Sequence, residues 1–346
     1  MNRDVIKESF ETTSEGLLAV VGYGETRGAD FDRRLVMQAV PAGANSIVPS
    51  MGGFAVQDET IAAIAEKISA AGQMIPRVRK FPVSKPKTRV PLIDETSRQD
   101  GSRGGGLNMQ WIDQGQDIPL STPKFAATES NAKTLAGAIR FTGELLNDSE
   151  LLGPWFEDST AREAAFKIED AIVNGSGVGQ PLGILKSTAA LEIAPASGQA
   201  AGTFTFANAS AMAAQFYSAS YGSPGAVWLM GNTTYQQALN EQTAVGAPLV
   251  TFDRGKRFML GWEVLVNEYS PLVGQRGDCC LVDLGEYCLF ERQPVGVVQS
   301  MHVFWLTDEG LMRAHIRADG HPLWNGPVTP KAGGPVQSPF IVLGQR

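Results

Sequence analysis

Between Leu151 and Leu185 the chain reads LLGPWFEDSTAREAAFKIEDAIVNGSGVGQPLGIL. This is one long helix that stops in a glycine-rich turn, and the rest of the chain has to be arranged around it. Ala161, Ala165, Ile168 and Ile172 step by four, three and four, the spacing of a single helical face. Glu157, Asp158, Glu163 and Lys167 fall on other faces. Asp148 and Ser149 suit the cap, and Pro154 suits a first turn. From 151 to 174 the rod should be about 36 Å long at 1.5 Å per residue. Asn174 and Gly175 accept the left-handed conformation of a helix stop, and Pro181 forbids an immediate restart.

The 346 residues suit two domains, or one domain with large excursions. Apolar residues make up 43% of the chain, enough for a substantial core. With 38 glycines and 20 prolines, many turns and extended segments are expected. A net charge of −7 argues against a dedicated nucleic-acid binder, which normally carries a basic face. The three cysteines form no disulfide framework and fit a reducing compartment. No apolar run approaches the ~20 residues of a membrane span. The N-terminus has no signal-peptide core, so use in a cytoplasm is expected.

Residues 1 to about 50 read as a polar arm that docks on something else or as a floppy terminus, with short helices near Asp4–Phe10 and Phe31–Val40. Next comes a helix begun by Asp58, with Ile61, Ile64, Ala65 and Ile68 on one side and Gly72 and Pro76 at its end. RVRKFPVSKPKTRVPLI is extended and basic, and reads as a solvated strand face or as a basic strip that meets acidic neighbours or polynucleotide. Residues 94–125 read as a long two-stranded loop with a glycine tip at 101–106 and little core of its own. Such excursions tend to be functional or disordered, and extended loops that reach beyond their own domain usually pack on a partner chain. Strand-like residues Asn131–Arg140 lead to the turn TGELLNDS and the long helix. Beyond Leu185, helices FANASAMAAQFYSAS and TTYQQALNEQ (capped by Asn232 or Thr233) alternate with strands AVWLM, FMLGWEVLVNEY and DCCLVDLGEY, an α/β layer pattern. The long run YCLFERQPVGVVQSMHVFW follows. Then Met312, Ala314, Ile316 and Ala318 alternate with Arg313, His315 and Arg317, which buries one strand face. A proline-glycine tail closes the chain.

The sequence offers no catalytic, cofactor-binding or metal-ligating residue. Cys279 and Cys280 point to opposite faces of a strand and Cys288 lies apart. With His302, His315 and His321 they read as buried thiols and surface imidazoles. GSGVGQP follows a helix, whereas a dinucleotide loop must precede one. There is no P-loop and no G-x-S-x-G elbow. The neighbouring carboxylates Glu157/Asp158 and Glu169/Asp170 read as lying on a solvated helix, which makes a catalytic dyad an unsuitable assignment.

The order of these segments resembles the tailed-bacteriophage major capsid proteins of the Hong Kong ninety-seven fold. The helix running into Gly175, Gly177, Gly179, Pro181, Gly183 and Ile184 is similar to that family's glycine turn with Pro-x-Gly-Ile. LGWEVLVNEYSP looks like its Leu-x-Gly-x-Pro-Val strand, with Glu263 where proline is usual. DLGEYCLFERQPVGV resembles its Asp-x-x-x-Tyr strand, and RADGHPLW its Arg-x-Asp-Gly. The resemblance covers about residues 50–325.

It implies an α+β capsid fold: an N-terminal arm (1–50), a peripheral domain (51–93), an extended β-hairpin loop (94–125), and the peripheral domain again over 126–189, with a spine helix at 151–174. An α/β axial domain would span 190–285, peripheral strands 286–330 and a tail 331–346. The implied function is a structural subunit, not an enzyme and without cofactor. It would assemble with many copies of itself, as pentamers and hexamers, into an icosahedral head around double-stranded DNA. Scaffolding, portal and decoration proteins are the expected partners, with weak non-specific DNA contact and no membrane. Its place would be the virion, assembled in the bacterial cytoplasm. An encapsulin shell and a soluble α/β enzyme are the alternatives. Some members weld subunits through a loop lysine, but here the tip carries Arg103 and the loop's lysine, Lys124, sits at its base, so no covalent mesh is expected. Some members also begin with a roughly hundred-residue scaffolding segment. None precedes the arm, so scaffolding would be separate or already removed.

Overall fold

The computed structural model describes residues 54–55, 58–85, 87–93, 95–103, 105–115, 117–118, 120–122, 125–142, 152–304 and 309–346. The arm over 1–50 with its two short helices, most of the turn TGELLNDS, and Lys124 lie outside the described residues. The chain divides into two compact units: 1–72, 134–167 and 292–318 in the first, and 73–133, 168–291 and 319–346 in the second.

The first unit holds helix α1 (Asp58–Ala71), which begins at the expected Asp58 and ends before Gly72. It also holds most of helix α2 (Leu152–Asn174), which ends at the expected Asn174. Its strands are β1 (Phe54–Ala55), β5 (Lys133–Thr142), β12 (Tyr287–Phe304) and β13 (Glu309–Pro322), in the order β1-β12-β13-β5, and the start of β12, which belongs to the second unit, pairs there with β2 (Arg79–Pro82). Ile64 and Ile68 of α1, Phe156, Ala161, Ala164 and Ala165 of α2, and Met312, Ala314 and Ile316 of β13 are buried. Burial of aliphatic and aromatic side chains of this size contributes roughly 1.5–3 kcal/mol each. Lys67 of α1 meets both Glu157 (3.0 Å) and Asp158 (2.8 Å) of α2, so two of the charges expected off the apolar face hold the helices together.

The second unit is built on a seven-stranded mixed sheet in the order β6-β14-β11-β7-β10-β9-β8. Its strands are β6 (Leu191–Ile193), β7 (Ala226–Gly231), β8 (Val250–Asp253), β9 (Lys256–Met259), β10 (Trp262–Asn267), β11 (Cys279–Asp283) and β14 (Phe340–Leu343). Helices α3 (Phe206–Ala214) and α4 (Asn232–Asn240) complete the α/β layer pattern. All six residues of β7 are buried, as expected of a strand covered on both faces. Trp228 of β7 and Trp262 of β10 pack with Phe216, with centroids 6.4 and 5.5 Å from Trp262.

Three details differ from the sequence reading. Helix α3 stops at Ala214 rather than running on to Ser220, because Phe216 is drawn into the core and bridges Ser338. Helix α4 is entered from Gly231, without a side-chain cap from Asn232 or Thr233. The closing segment is no mere tail: Phe340–Leu343 forms β14, wholly buried between β6 and β11. Beyond it, Arg346 is buried against Asp278, whose side chain is also inaccessible. FIVL is a four-residue apolar run bounded by turn residues, a signal that fits a buried strand.

Candidate assembly surfaces

The loop grows from a ribbon in the second unit. Strand β3 (Lys87–Ile93) pairs antiparallel with β4 (Phe125–Asn131), from Lys87 opposite Asn131 to Ile93 opposite Phe125. The ladder therefore flanks the 94–125 segment. Three of the six basic residues in the run leading into it meet carboxylates: Arg77 meets Glu263 at 2.9 Å, Lys80 meets Glu291 at 3.8 Å and Arg89 meets Glu129 at 3.1 Å. Glu263, which stands where the resemblance expects proline, also receives Lys256 at 3.2 Å. Burial raises the Glu263 pKa, but Arg77 and Lys256 together outweigh it and hold the carboxyl below its ordinary value.

The base of the loop is tied down. Arg98 N–H donates to Thr329 O (2.9 Å), and Thr329 N–H donates to Thr96 O (3.0 Å). The Arg98 guanidinium donates to Glu95 (2.7 Å) and Tyr217 Oη (2.6 Å), and lies 5.1 and 5.7 Å from the ring centroids of Tyr217 and Trp324. At the glycine tip, Arg103 and Leu107 bridge across Gly105 and Gly106, whose φ values of 85° and 107° suit glycine.

Past this turn the segment changes character. Leu107, Met109, Trp111, Ile112, Ile118 and Leu120 are all exposed, Trp111 and Leu120 completely so. No strand pairing holds residues 108–122 among the described residues. Single exposed apolar residues are unremarkable, but six large ones close together in sequence make this segment a candidate interaction surface.

The motifs noted in the sequence meet at one point of the second unit. Helix α2 ends at Asn174, and Gly175 N–H donates to Ala171 O (3.0 Å). The chain then folds back so tightly that Gly183 N–H donates to Gly175 O (2.9 Å). A Cβ on Gly175 would lie 2.1 Å from Pro181 O, and one on Gly183 would lie 2.4 Å from Gly175 N. Only hydrogen fits at either position. Leu182 N–H donates to Gly320 O (2.7 Å), Tyr287 Oη donates to Leu182 O (2.9 Å), and Asn131 N–H donates to Asp319 (2.6 Å). Glycine turn, tyrosine strand and Asp-Gly pair thus form one hydrogen-bonded knot.

A model of the phage capsid family matches residues 52–330. The chain belongs to the phage capsid family. As a member it is a structural protein of the virion, not an enzyme, and the encapsulin and enzyme alternatives are not favoured. Its fold is that of solved capsid chains. The capsid of an empty GTA particle, computed with C5 symmetry, matches with TM-score 0.60 at 16% identity, covering 88% of this chain and 94% of that one. The capsid of a native GTA particle gives 0.57 at 17% identity over 93% and 97%. A chain of Mycobacterium phage Adephagia gives 0.55 at 16% over 79% and 89%. Comparison with curated protein sequences gave no match.

Cys279, Cys280 and Cys288 are buried, and burial pushes the Cys288 thiol up to about 12. The imidazoles do not follow the surface reading. His321 is buried beside the Phe290 ring (centroids 5.0 Å apart), and His315 is half-buried. The side chain of His302 lies outside the described residues. Nor is the end of α2 solvated. Glu169 is buried and accepts from Met74 N–H (2.5 Å), Ile75 N–H (3.2 Å) and Tyr269 Oη (2.7 Å). Periodicity missed it because a carboxylate with three donors can sit on a buried face. Among the described residues no three His, Cys, Asp or Glu side chains converge as metal ligands, and no helix is long and apolar enough to cross a membrane.

Proposed function

We propose that this chain is the main building block of an icosahedral head, assembling as pentamers and hexamers into a closed shell around the packaged double-stranded DNA of a tailed phage. The observation that carries this reading is the row Leu107, Met109, Trp111, Ile118 and Leu120, exposed on a segment that has no core of its own but a firmly anchored base. Neighbouring subunits supply the missing cover. In this reading the loop over 94–125 lies on a neighbour, the arm over 1–50 runs along the inner face, and the 190–285 region with its seven-stranded sheet points to the local symmetry axis. Scaffolding, portal and decoration proteins act around the shell, which forms in the host cytoplasm. A net charge of −7 suits a wall that holds DNA without gripping it, because strong phosphate contacts would trap the genome there.

Electron microscopy and size-exclusion chromatography of the purified chain test this. Closed particles or capsomers are expected, and replacement of Trp111 and Leu120 by serine should abolish them while leaving a folded subunit. A wild-type chain that stays monomeric under all assembly conditions would overturn the reading.

A further inference from the structure

Strand β13 has two unlike faces in the first unit. Met312, Ala314 and Ile316 are buried, while Arg313, His315 and Arg317 take the alternate positions. Arg313 is exposed, and His315 and Arg317 are half-buried. The His315 ring lies over Gly296 of β12, where a Cβ would come within 2.5 Å of its Cε1. Glu309, on the same face, is engaged by Arg140. Neither Arg313 nor Arg317 has an ion-pair partner among the described residues, and Nε of Arg317 and Nδ1 of His315 are buried without a hydrogen bond. Lys67, Arg77, Arg98, Arg276 and Arg346, in contrast, each face a carboxylate. Burial first, then Arg313 and Arg317, depress the His315 pKa, as a field of uncompensated positive charge would.

The apolar segment at 105–122 has the opposite sign. Its charged residues are Asp113 and Asp117, both exposed, neither with a partner among the described residues, and set among Trp111, Ile112, Ile118 and Leu120.

We propose that Asp113 and Asp117 of one copy seat on Arg313 and Arg317 of a neighbouring copy, so that β13 is the landing strip of the loop. This rests on the reading that the loop lies on a neighbouring subunit, and adds where. Charge complementarity fixes register, while the flanking apolar residues exclude water and strengthen the pairing. Two arginines beside one imidazole make a small patch. Polynucleotide binding calls for a broader basic face, so a second copy fits better.

A charge exchange tests the assignment. The Arg313→Glu/Arg317→Glu chain and the Asp113→Arg/Asp117→Arg chain should each lose the particle peak while keeping the wild-type circular dichroism. The chain carrying all four changes should regain it. Full assembly by either double variant, or failure of the fourfold variant to recover, overturns the landing strip. The particles formed by wild type and lost in the Trp111/Leu120 variant would still uphold the shell reading. An arginine variant that assembles normally but retains less DNA would mark polynucleotide as the partner and likewise overturn it. Should any charge variant misfold, coassembled Asp113→Cys and Arg317→Cys chains decide. An oxidant-dependent disulfide dimer between them supports the contact, and its absence refutes it.

Discussion

The phenolic oxygen of Tyr287 donates a hydrogen bond to the carbonyl oxygen of Leu182 at 2.9 Å, joining residues 105 apart in sequence. Tyr287 is fully buried, and a Cβ on Gly320 would come within 2.7 Å of its hydroxyl. Tyr287→Phe removes only the bond and should cost about 1 kcal/mol. Gly320→Ala crowds a phenol that cannot move, and should cost about 1–3 kcal/mol. Urea unfolding of the soluble subunit checks both, and a neutral Gly320→Ala would mean that the knot is looser than described.

Glu169→Ala is expected to be more damaging. It strands the N–H groups of Met74 and Ile75 and removes the carboxylate to which Tyr269 Oη donates. Leaving buried donors unpaired costs about 1–3 kcal/mol each. A drop in the unfolding midpoint well beyond that of Tyr287→Phe is predicted, with Glu169→Gln intermediate.

The two ends of the glycine turn should respond differently. Gly179 has φ of +74° and open space around the position of a Cβ, so Gly179→Ala should cost about 1 kcal/mol of backbone strain. Gly183→Ala drives a methyl into the backbone of Gly175 and Val173, and should cost more or prevent folding. Equal melting temperatures for the two variants would contradict this.

Stability should fall on acidification below neutral pH. Burial lowers the His321 pKa, against a smaller upward pull from Asp319. The folded chain resists a proton that the unfolded chain accepts near pH 6.5, so the unfolded state gains protons first and stability declines as pH drops below about 6.5. His315 is lowered in the same direction. His321→Phe should flatten the slope of the urea midpoint between about pH 7.5 and 5.5, and an unchanged slope would remove His321 from the account.

Purified particles, boiled and reduced, should run as a single subunit band without a covalent ladder. Arg103 stands at the loop tip, and an arginine side chain lacks the primary amine of lysine.

Much of the fold is legible in the sequence. The 3.6-residue period of α2, the alternation of β13 and the apolar run of β7 each register burial directly, and the structure bears them out. Long-range partnership leaves no such trace. Nothing near Glu169 announces that Met74 and Tyr269 will surround it, and nothing in FIVL says which strands will flank it. The loop was legible as composition, a glycine-rich tip between flanks with little core of their own. Its anchor at Arg98 was not, because Tyr217 and Trp324 lie more than a hundred residues away. The glycine turn stood out because close backbone approach constrains residue identity as strictly as chemistry would.

Central to the account is that Trp111 and its neighbours are covered only by other copies. Hydroxyl-radical footprinting of free subunits and of assembled particles measures that cover directly. The account predicts strong labelling of Trp111, Met109 and Leu120 in the subunit and protection in the particle. Equal labelling in both states would contradict it.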